Sequence, residues 1–373
     1  MNNTMGIILA GGRNDRLKDL SDIRSVAAIP VGGKYRAIDF ILSNMVNSNI
    51  TNIGILTQYS FRSLMDHLGS GKEWDLDRRN DGLFIFPPYL SGDNTGWYRG
   101  TADAVYNNLT FLKRSNEEYV IVSTANCIFK MDFRKLLEYH KEKDADITIA
   151  YRDMSDFSRE DLSLLGILDI DGDERVLDLM EKPLNPKTRL GSMGVYIIRR
   201  SLLISLLEDC AAHGYYDFVK DVLIRNINNL KIFGYNFQGY WRCLSSIQLY
   251  YKCNMELLDP DIRTELFIDN GKIFTKVKDE PPAKYNEEAD VKNSVVADGC
   301  IVEGTVINSV LFRGVTVKRG AHIKDCIIMQ DSIIEENAYL EYSILDKSVI
   351  VTRDKALKGE LNWPITVGKN VVV

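Results

Sequence analysis

A repeat of about six residues in the last third of the sequence limits the possible folds more than any other feature. Aliphatic residues recur there in steps of six, five or four, at Val295, Ile301, Ile307, Leu311, Val317, Ile323, Ile328, Ile334, Leu340 and Leu345. Small turn residues punctuate the same run at Gly299, Gly304, Gly314, Gly320 and Asn337. This period predicts a parallel β-helix whose coils stack their inward aliphatics, and it leaves a plain antiparallel β-domain as the weaker alternative.

The first two thirds of the sequence alternate between apolar runs and segments with helical spacing. The apolar runs are Met5–Ala10, which meets Gly11 and Gly12, and Ile53–Leu56, Tyr119–Ser123, Ile147–Ala150 and Val195–Ile198. Helical spacing falls at Ala37–Val46, Ala102–Lys113, Phe133–Lys143 and Arg200–Cys210. This alternation predicts an open α/β sheet covered on both faces. We predict an α/β domain over residues 1–258, a linker over 259–290 and a β-helix over 291–373.

Composition excludes several classes of function. The net charge of the 373 residues is -6, and no basic stripe of the kind that binds nucleic acid is present. The six cysteines form no CxxC pair, which favours free thiols in a reducing cytoplasm over zinc or disulfides. No run of 18 apolar residues and no signal peptide is seen, so we expect a soluble cytoplasmic protein without a membrane partner.

Several motifs occur in a fixed order along the α/β segment. They are GGKYRAIDF at Gly32–Phe40 followed by LSN at 42–44, WYRGTADAV at Trp97–Val105, EKP at Glu181–Pro183, SMGVY at Ser192–Tyr196, and DFVKD at Asp217–Asp221. The ordered set resembles the ADP-glucose pyrophosphorylase family, from Met5 to about Val351. The resemblance implies a Rossmann-like nucleotidyltransferase domain with an open mixed sheet, followed by a left-handed parallel β-helix. It also implies a reaction in which glucose-1-phosphate attacks the α-phosphorus of ATP.

The phosphate-binding segments depart from the family pattern. Where the family has a loop like GGxGTRL, Asn14 replaces a glycine and Asp15 replaces a small hydroxyl residue. A carboxylate 4 Å from another negative charge costs roughly 4 kcal/mol at an effective dielectric near 20, unless Asp15 turns outward to solvent. Val26 stands at the lysine of a family segment like RAKPA. The resemblance therefore predicts a poor site for a triphosphate.

The two aspartates that hold Mg²⁺ in the family are both replaced. Asn126 stands at the aspartate of a motif like GDHIYKMD, and Cys243 stands at the aspartate of a motif like YWxDVGT. Mg²⁺ prefers charged oxygen ligands, whereas an amide is neutral and a thiol is soft. We expect this chain to bind no metal cofactor, with Mg²⁺ held at a partner's site. A redox or zinc role for Cys127 with Cys243 is a weaker alternative, because no histidine lies at ligand spacing.

Other family positions are retained. By resemblance, the pocket for a sugar phosphate and the nearby nucleotide base comprises Tyr98, Gly100, Glu181, Lys182, Ser192, Asp217 and Lys220, with Trp97 beside the base. Lys34 and Arg36 lie in a motif near which the family binds a sugar-phosphate activator. The alternatives are that Trp97 and Tyr98 are core residues, that Lys182 pairs with a surface carboxylate, and that Lys34 and Arg36 form a solvated basic turn.

These departures resemble the diverged, D-type subunit of bacterial enzymes that make ADP-glucose for glycogen. We expect a non-catalytic regulatory subunit in a heterotetramer with a catalytic ADP-glucose pyrophosphorylase subunit, with a sugar phosphate as possible effector. The first alternative is an active nucleotidyltransferase with a rearranged metal site. The others are a scaffold protein and an acyltransferase that would use His322, the one histidine in the repeat.

Overall fold

The computed structural model describes residues 3–89, 96–269 and 271–373. The chain folds into two compact units, each built from several segments. The first contains Met1–Gly12, Ile41–Phe61 and Leu68–Trp241, and the second contains Arg13–Phe40, Arg62–His67 and Arg242–Val373.

The first unit is built on a mixed β-sheet. Its strands are Thr4–Leu9, Asn52–Leu56, Gly82–Phe86, Tyr119–Thr124, Ile147–Asp153, Gly166–Ile170, Val176–Glu181, Leu190–Arg199 and Ile232–Asn236. Strand Thr4–Leu9 pairs in parallel with Asn52–Leu56 on one side and with Tyr119–Thr124 on the other. Strand Leu190–Arg199 pairs antiparallel to Tyr119–Thr124. The central strands are fully buried because helices cover the sheet, as the continuous apolar runs predict.

Helices occur at all four predicted segments, one of them broken, and also at segments where no helix was predicted. The α-helices are Asp19–Asp22, Ala37–Asn47, Arg62–Leu68, Thr101–Asn107, Leu109–Arg114, Phe133–Glu142, Arg159–Leu162, Arg200–His213, Ile247–Glu256 and Pro260–Phe267. Short 3₁₀ turns occupy Asp15–Leu17, Val26–Ala28, Lys72–Trp74 and Ile224–Asn226, and a π-helical turn occupies Phe218–Leu223. The predicted helix over Ala102–Lys113 breaks at Asn108, whose side chain donates to the carbonyl of Ala104 and to the hydroxyl of Tyr98. No helix among the described residues is long and apolar enough to cross a lipid bilayer.

The second unit contains the β-helix, in which strands repeat through three parallel sheets. The described part of the chain gives each sheet five strands. The first sheet contains Lys284–Tyr285, Ile301–Val302, Thr316–Val317, Ile333–Ile334 and Ile350–Val351. The second contains Asp290–Lys292, Thr305–Ile307, His322–Lys324, Tyr339–Glu341 and Ala356–Lys358. The third contains Val295–Val296, Val310–Leu311, Ile327–Ile328, Ser343–Leu345 and Ile365–Val367. The parallel register confirms the predicted β-helix and excludes the antiparallel alternative.

The inward positions of the first coils differ by one residue from the predicted register. The interior contains Val296, Val302 and Val306, not the adjacent Val295, Ile301 and Ile307. From Leu311 to Leu345 the predicted aliphatics do lie in the core. Each misplaced residue has an apolar neighbour, and successive strand residues point to opposite faces. The spacing alone therefore does not decide which of the two points inward.

Turn residues shape the corners of the coils. Gly299, Gly314 and Gly320 have φ of +77°, +69° and +73°, a region that favours glycine. Asn337 takes a similar φ of +58° at another corner, as asparagine often does. The turn residues of the sequence repeat thus correspond to real corners.

Candidate functional site

Three backbone donors at the end of the phosphate-loop segment, those of residues 16–18, are hydrogen-bonded within the segment. The Asn14 side chain accepts a hydrogen bond from the Arg16 N–H at 3.1 Å, and the Leu17 N–H donates to the Asn14 carbonyl at 3.1 Å. The Lys18 N–H donates to the Asp15 carbonyl at 3.2 Å. A loop that holds phosphate needs such N–H groups directed at the anion. Here the N–H groups of residues 16–18 close a 3₁₀ turn instead.

Asn14 also ties this segment to the chain just beyond the second replaced metal position. Its Nδ2 donates to the Ser245 carbonyl at 2.9 Å, and the Ser245 hydroxyl lies 2.9 Å from the Cys243 sulfur. Asn14 therefore uses both ends of its amide within the second unit. A glycine at this position makes neither bond, so the replacement adds a connection as well as a side chain.

Asp15 turns outward, which is the alternative raised from the sequence. Its carboxylate is 81% exposed and lies 2.8 Å from the Arg13 guanidinium. Solvent and the arginine both screen its charge, so the repulsion of roughly 4 kcal/mol expected at low exposure does not apply here. Val26 is buried in the 3₁₀ turn Val26–Ala28, where it adds packing and no charge.

Asn126 and Cys243 occupy two strand termini. Asn126 follows strand Tyr119–Thr124, and its Oδ1 lies 3.6 Å from the sulfur of Cys127. Cys243 ends strand Trp241–Cys243 and is buried. Neither position supplies a carboxylate, and the residues described form no group of three His, Cys, Asp or Glu side chains suited to a metal ion. The donors at these two positions do not suit Mg²⁺.

The sugar-side residues lie close together at one end of the sheet in the first unit. Glu181 pairs with Lys182 at 3.2 Å, and only Glu181 is substantially shielded from solvent. A methyl group at Gly166 would lie 3.3 Å from Glu181 Oε2 and 3.5 Å from Ser192 Cβ, so the glycine leaves room beside both side chains. Lys182 adopts a positive φ of 50°, which turns the chain immediately after the strand.

Tyr196 interacts with this group. Burial raises the pKa of its hydroxyl, which hydrogen-bonds to Ser192 and lies within the electrostatic reach of Glu181 and Asp217. A buried neutral phenol beneath polar side chains can fix their positions without adding charge. Tyr196 is the last residue of the SMGVY motif, and the sequence alone assigns it no role.

Asp217 has a structural role as well. It is the N-cap of the π-helical turn Phe218–Leu223, because its side chain accepts from the Lys220 N–H at 2.8 Å. The Lys220 side chain is exposed.

The segment expected near the nucleotide base divides between core and surface. Tyr98 is a core residue whose hydroxyl donates to the Pro87 carbonyl at 3.2 Å. Trp97 is 59% exposed and stacks on Tyr59 with ring centroids 5.1 Å apart. The alternative that these residues form the core is therefore confirmed for Tyr98 and wrong for Trp97.

Gly100 lies against the Tyr216 carbonyl, which leaves no room for a Cβ. Arg99 lies above the Tyr216 ring, 3.9 Å from its centroid, and bonds the Asp103 carboxylate at 2.7 Å. In the WYRGTADAV motif the backbone at Gly100 is therefore tightly packed. The neighbouring Arg99 is held by Tyr216 and Asp103.

Arg36 belongs to a cluster of cations, whereas Lys34 does not. Lys34 is exposed on a turn, with its ammonium 5.3 Å from the Tyr35 ring centroid. Arg36 donates to the Ser63 carbonyl at 2.6 Å, and burial lowers its pKa to about 10. The basic-turn alternative fits Lys34 and is wrong for Arg36.

Two further cations of the second unit belong to the same cluster. Arg24 is 3% exposed and binds both carboxylate oxygens of Asp346, at 2.9 and 2.8 Å. Burial, together with Arg36 and Arg24, lowers the pKa of Lys347 to about 7. Among the described atoms, Arg24 Nη1 is buried without a hydrogen-bond partner. The cluster of Arg24, Arg36 and Lys347 is hereafter called the cation cluster.

A buried acid–imidazole pair contacts the backbone of Arg36. His67 Nε2 lies 2.6 Å from Asp39 Oδ1, and the other Asp39 oxygen accepts from the Arg36 N–H at 2.9 Å. Burial lowers the pKa of His67 even though Asp39 opposes the shift. Asp39 thereby fixes the backbone that presents Arg36.

Comparisons with known proteins match most of the chain. The nucleotidyl transferase family matches residues 5–260, and the GlmU-like C-terminal hexapeptide family matches residues 281–359. Glucose-1-phosphate adenylyltransferase of Bacillus cytotoxicus is 37% identical over 363 residues, which cover 96% of each chain. The protein of the same name from Geobacillus stearothermophilus is 40% identical over 323 residues, covering 86% of this chain and 83% of its own.

The chain belongs to the glucose-1-phosphate adenylyltransferase family.

Membership confirms the predicted fold, an open mixed nucleotidyltransferase sheet and a left-handed parallel β-helix. Sequence reasoning gave no role to Arg24 and Lys347. Arg24 and its partner Asp346 lie 322 positions apart, so no local pattern joins them. The sequence shows only a basic residue in each of two distant segments. The cluster becomes visible only in the folded chain, where Asp346 of the β-helix contacts Arg24.

Proposed function

We propose that this chain is a regulatory, non-catalytic subunit of glucose-1-phosphate adenylyltransferase in glycogen biosynthesis. It would assemble with a catalytic subunit that holds Mg²⁺ and converts ATP and glucose-1-phosphate into ADP-glucose and diphosphate. The observation that carries the proposal is the phosphate-loop segment, whose N–H groups at residues 16–18 are hydrogen-bonded within the turn that Asn14 begins.

The replaced metal positions support the same conclusion. Transfer between two phosphate-bearing substrates requires positive charge to offset their repulsion. An amide at Asn126 and a thiol at Cys243 bring no anionic oxygen to hold a divalent cation, and Val26 is buried without any charge. Several independent supports for ATP are therefore absent from one chain.

The sugar side supports a retained binding function. Glu181, Ser192 and Tyr196 form a group in which a buried phenol orders the polar side chains above it. A pocket of this kind suits the hydroxyls and the single phosphate of a sugar phosphate. We propose that it holds such a ligand without turning it over.

The cation cluster supports a second, regulatory anion site. Arg24 has a buried Nη1 without a hydrogen-bond partner, and burial together with the nearby Arg36 and Arg24 disfavours the protonated form of Lys347. A phosphate-bearing effector would relieve both conditions, because an anion favours protonated lysine and accepts from guanidinium. Occupancy of this site would shift the conformational equilibrium of the assembly, and the partner's kinetics would report it.

The test is a comparison of three samples: this chain, the catalytic subunit, and the two co-expressed. Diphosphate release is measured with ATP, Mg²⁺ and glucose-1-phosphate, with and without a sugar bisphosphate. We expect no turnover from this chain and an altered activator response in the co-expressed sample. Kinetics unchanged by the addition of this chain would support a scaffold protein.

One observation favours a second candidate, the active nucleotidyltransferase. Asp103 and Arg99 retain an ordered ion pair in the motif beside the base segment. Turnover by the purified chain alone, lost on Asp103→Asn, would establish that reading and replace the regulatory one.

A further inference from the structure

A set of hydrogen bonds joins two motifs of the first unit that lie far apart in the sequence. The Tyr216 carbonyl accepts from the N–H groups of Ala102 and Asp103, at 2.8 and 3.3 Å. In the opposite direction, the Phe218 N–H donates to the Thr101 hydroxyl at 2.8 Å. The two segments therefore hold each other, and these three bonds are hereafter called the backbone stitch.

The backbone stitch satisfies groups that a helix leaves open. The first N–H groups of a helix have no partner within the helix itself. The helix Thr101–Asn107 receives the Tyr216 carbonyl at this end, and Gly100 permits the approach because a Cβ there would collide with that carbonyl. The position of residue 216 thus decides how the start of the WYRGTADAV helix is held.

One carboxylate fixes the segment that carries the backbone stitch. Asp221 Oδ2 accepts from the N–H groups of Tyr216 and Asp217, at 2.9 and 2.8 Å. Asp217 accepts the Lys220 N–H at 2.8 Å, so side chains and backbone bond reciprocally at the start of the turn, as in a capping box. The bonds of Asp221 extend this pattern to the residue before the cap.

A single peptide unit connects Asp221 to the other motif. The Tyr216 carbonyl and the Asp217 N–H belong to the same planar group. Asp221 holds this group through its N–H, and the helix beginning at Thr101 holds it through its carbonyl. Loss of the carboxylate would therefore loosen both motifs, although Asp221 itself bonds only one of them.

The backbone stitch lies beside the sugar-side group. Phe218 packs against Tyr196 with ring centroids 5.6 Å apart, and Asp217 lies within the electrostatic reach of the Tyr196 hydroxyl. At the other end, Arg99 lies over the Tyr216 ring and donates to its hydroxyl at 2.8 Å. The segment at residues 216–218 thus contacts the sugar-side group and the arginine of the WYRGTADAV motif at once.

We infer that Asp221 is a positioning residue, which holds Asp217 and the start of the WYRGTADAV helix in one arrangement. A sugar phosphate that orders Asp217 then also orders the N–H groups of Ala102 and Asp103, because one peptide unit joins them. This effect of a ligand rests on the binding function proposed above. The mechanical link between the two motifs is a property of the free chain.

Binding of glucose-1-phosphate tests the positioning role. Asp221→Ala removes the acceptor of two N–H groups, so the affinity measured by calorimetry should fall about tenfold. Asp221→Asn keeps an oxygen that can accept both bonds, so its affinity should stay within about threefold of that of the unaltered chain. A purely structural role would lower the unfolding temperature of Asp221→Ala and leave the affinity of the folded chain unchanged, which would overturn the inference.

The matched control is Asp209→Ala. Asp209 is a half-exposed carboxylate of the same unit that pairs with His213 and Arg225. Its removal deletes the same negative charge without touching the backbone stitch, so the affinity should not change. Equal losses from Asp209→Ala and Asp221→Ala would mean that net charge sets the affinity, and would contradict the inference.

Amide hydrogen exchange tests the link between the motifs without a ligand. Asp221→Ala should speed exchange about tenfold in peptides that contain residues 102 and 103, and Asp209→Ala should not. Glucose-1-phosphate should slow exchange in the same peptides of the unaltered chain. Unchanged exchange there in Asp221→Ala would overturn the inference. If the chain binds no glucose-1-phosphate but Asp221→Ala still speeds this exchange, the proposed binding function fails and the link between the motifs stands.

The hydroxyl of Thr101 provides a second, independent variant. Thr101→Val removes the acceptor of the Phe218 N–H, whereas Thr101→Ser retains it. Only Thr101→Val should weaken glucose-1-phosphate binding, by about threefold. It also tests the inference if Asp221→Ala does not fold.

Combining the two variants tests whether both anchors act on one segment. In a chain with Asp221→Ala and Thr101→Val, the loss of affinity should be smaller than the product of the two single losses, because either change already releases residues 216–218. Losses that multiply in full would show that the two anchors act on separate segments, and would overturn the inference.

Discussion

The phosphate-loop segment and the sugar-side group differ in where their hydrogen bonds go. In the loop, the side chain and backbone of Asn14 take up N–H groups of the following turn, and its amide reaches the Ser245 carbonyl. In the sugar-side group, Glu181 keeps a carboxylate beside the space that Gly166 leaves open, with Tyr196 ordering it from beneath. The phosphate-loop segment uses its polar groups in hydrogen bonds within the protein, whereas the sugar-side group keeps polar groups beside an open space. The difference teaches that binding and chemistry can be lost separately within one fold.

The largest expected effect comes from restoring the altered region. Asn14→Gly combined with Asn126→Asp and Cys243→Asp should raise diphosphate release by the chain alone by about 1,000-fold or more. A bound metal supplies several kcal/mol, and each recovered donor to a developing charge supplies roughly 100-fold. The rate is measured with purified chain, ATP, Mg²⁺ and glucose-1-phosphate.

The matched control keeps the glycine but places alanine at residues 126 and 243. It should remain inactive, which separates the carboxylates from the loop. If the triple variant with the glycine and both aspartates folds normally but is inactive, the loss of chemistry lies elsewhere in the chain.

A change in the cation cluster should have the next largest effect, on stability. Asp346→Asn leaves the Arg24 guanidinium buried without its counter-ion, and breaking a buried pair typically costs 3–5 kcal/mol, so we expect about 4 kcal/mol less free energy of unfolding. Denaturant unfolding measures it. The comparison is Asp15→Asn, whose exposed pair with Arg13 should contribute less than about 1 kcal/mol.

Phosphate sharpens this comparison. If the cluster binds anions, phosphate should recover part of the stability lost in Asp346→Asn and add little to Asp15→Asn, because a ligand stabilises only the state that binds it. Equal responses of the two variants would leave the cation cluster without a role as an anion site.

The sugar-side group should show a smaller effect on binding. Glu181→Ala should weaken the affinity for glucose-1-phosphate about tenfold, because a hydrogen bond to a charged group contributes roughly 1.5–3 kcal/mol. Calorimetry with the whole chain measures the affinity. Leu177→Ala, an exposed position on the same strand, is the control and should leave the affinity unchanged.

The two regions also differ in how well the sequence predicts them. The six-residue period predicts the β-helix, and continuous apolar runs such as Tyr119–Ser123 predict the strands of the mixed sheet. Both patterns are visible in the sequence because side chains that face a core recur at regular spacing. The retained motif around Glu181 and Ser192 was found because its residues are near in sequence and match a pattern. Asn14, Cys243 and Val26 are recognisable because each replaces the residue that the family motif has at its position.

Contacts between distant segments were beyond such reasoning. Nothing near Arg24 predicts that Asp346, more than three hundred residues away, neutralises it in the interior. The sequence likewise does not decide whether the Asp15 side chain points to solvent. The exposure of a loop carboxylate depends on its folded neighbours, here Arg13. The register of Ile301 against Val302 failed for a related reason, because both residues are apolar and only the closed coil chooses between them.

The smallest predicted effect is a pH dependence of the cation cluster. Burial lowers the pKa of Lys347 to about 7, so the lysine is largely protonated below that pH and neutral above it. An anionic effector binds protonated Lys347 better than neutral Lys347. Above the pKa, binding therefore requires Lys347 to take up a proton, which weakens the observed affinity. Its affinity should therefore fall about fivefold between pH 7 and pH 8, measured by calorimetry at constant ionic strength.

Lys347→Arg is the matched control because arginine stays charged throughout this range. The variant should bind the effector with little change over the same interval, apart from the titration of the effector's own phosphate. The stability of the free chain should change in the opposite sense. Between about pH 7 and 10.5 the unfolded chain holds a proton that native Lys347 has lost, so the free energy of unfolding should rise with pH. A flat binding profile in the unaltered chain, together with a flat stability profile, would place Lys347 outside the cluster's anion site and leave Arg24 and Arg36 to hold any effector alone.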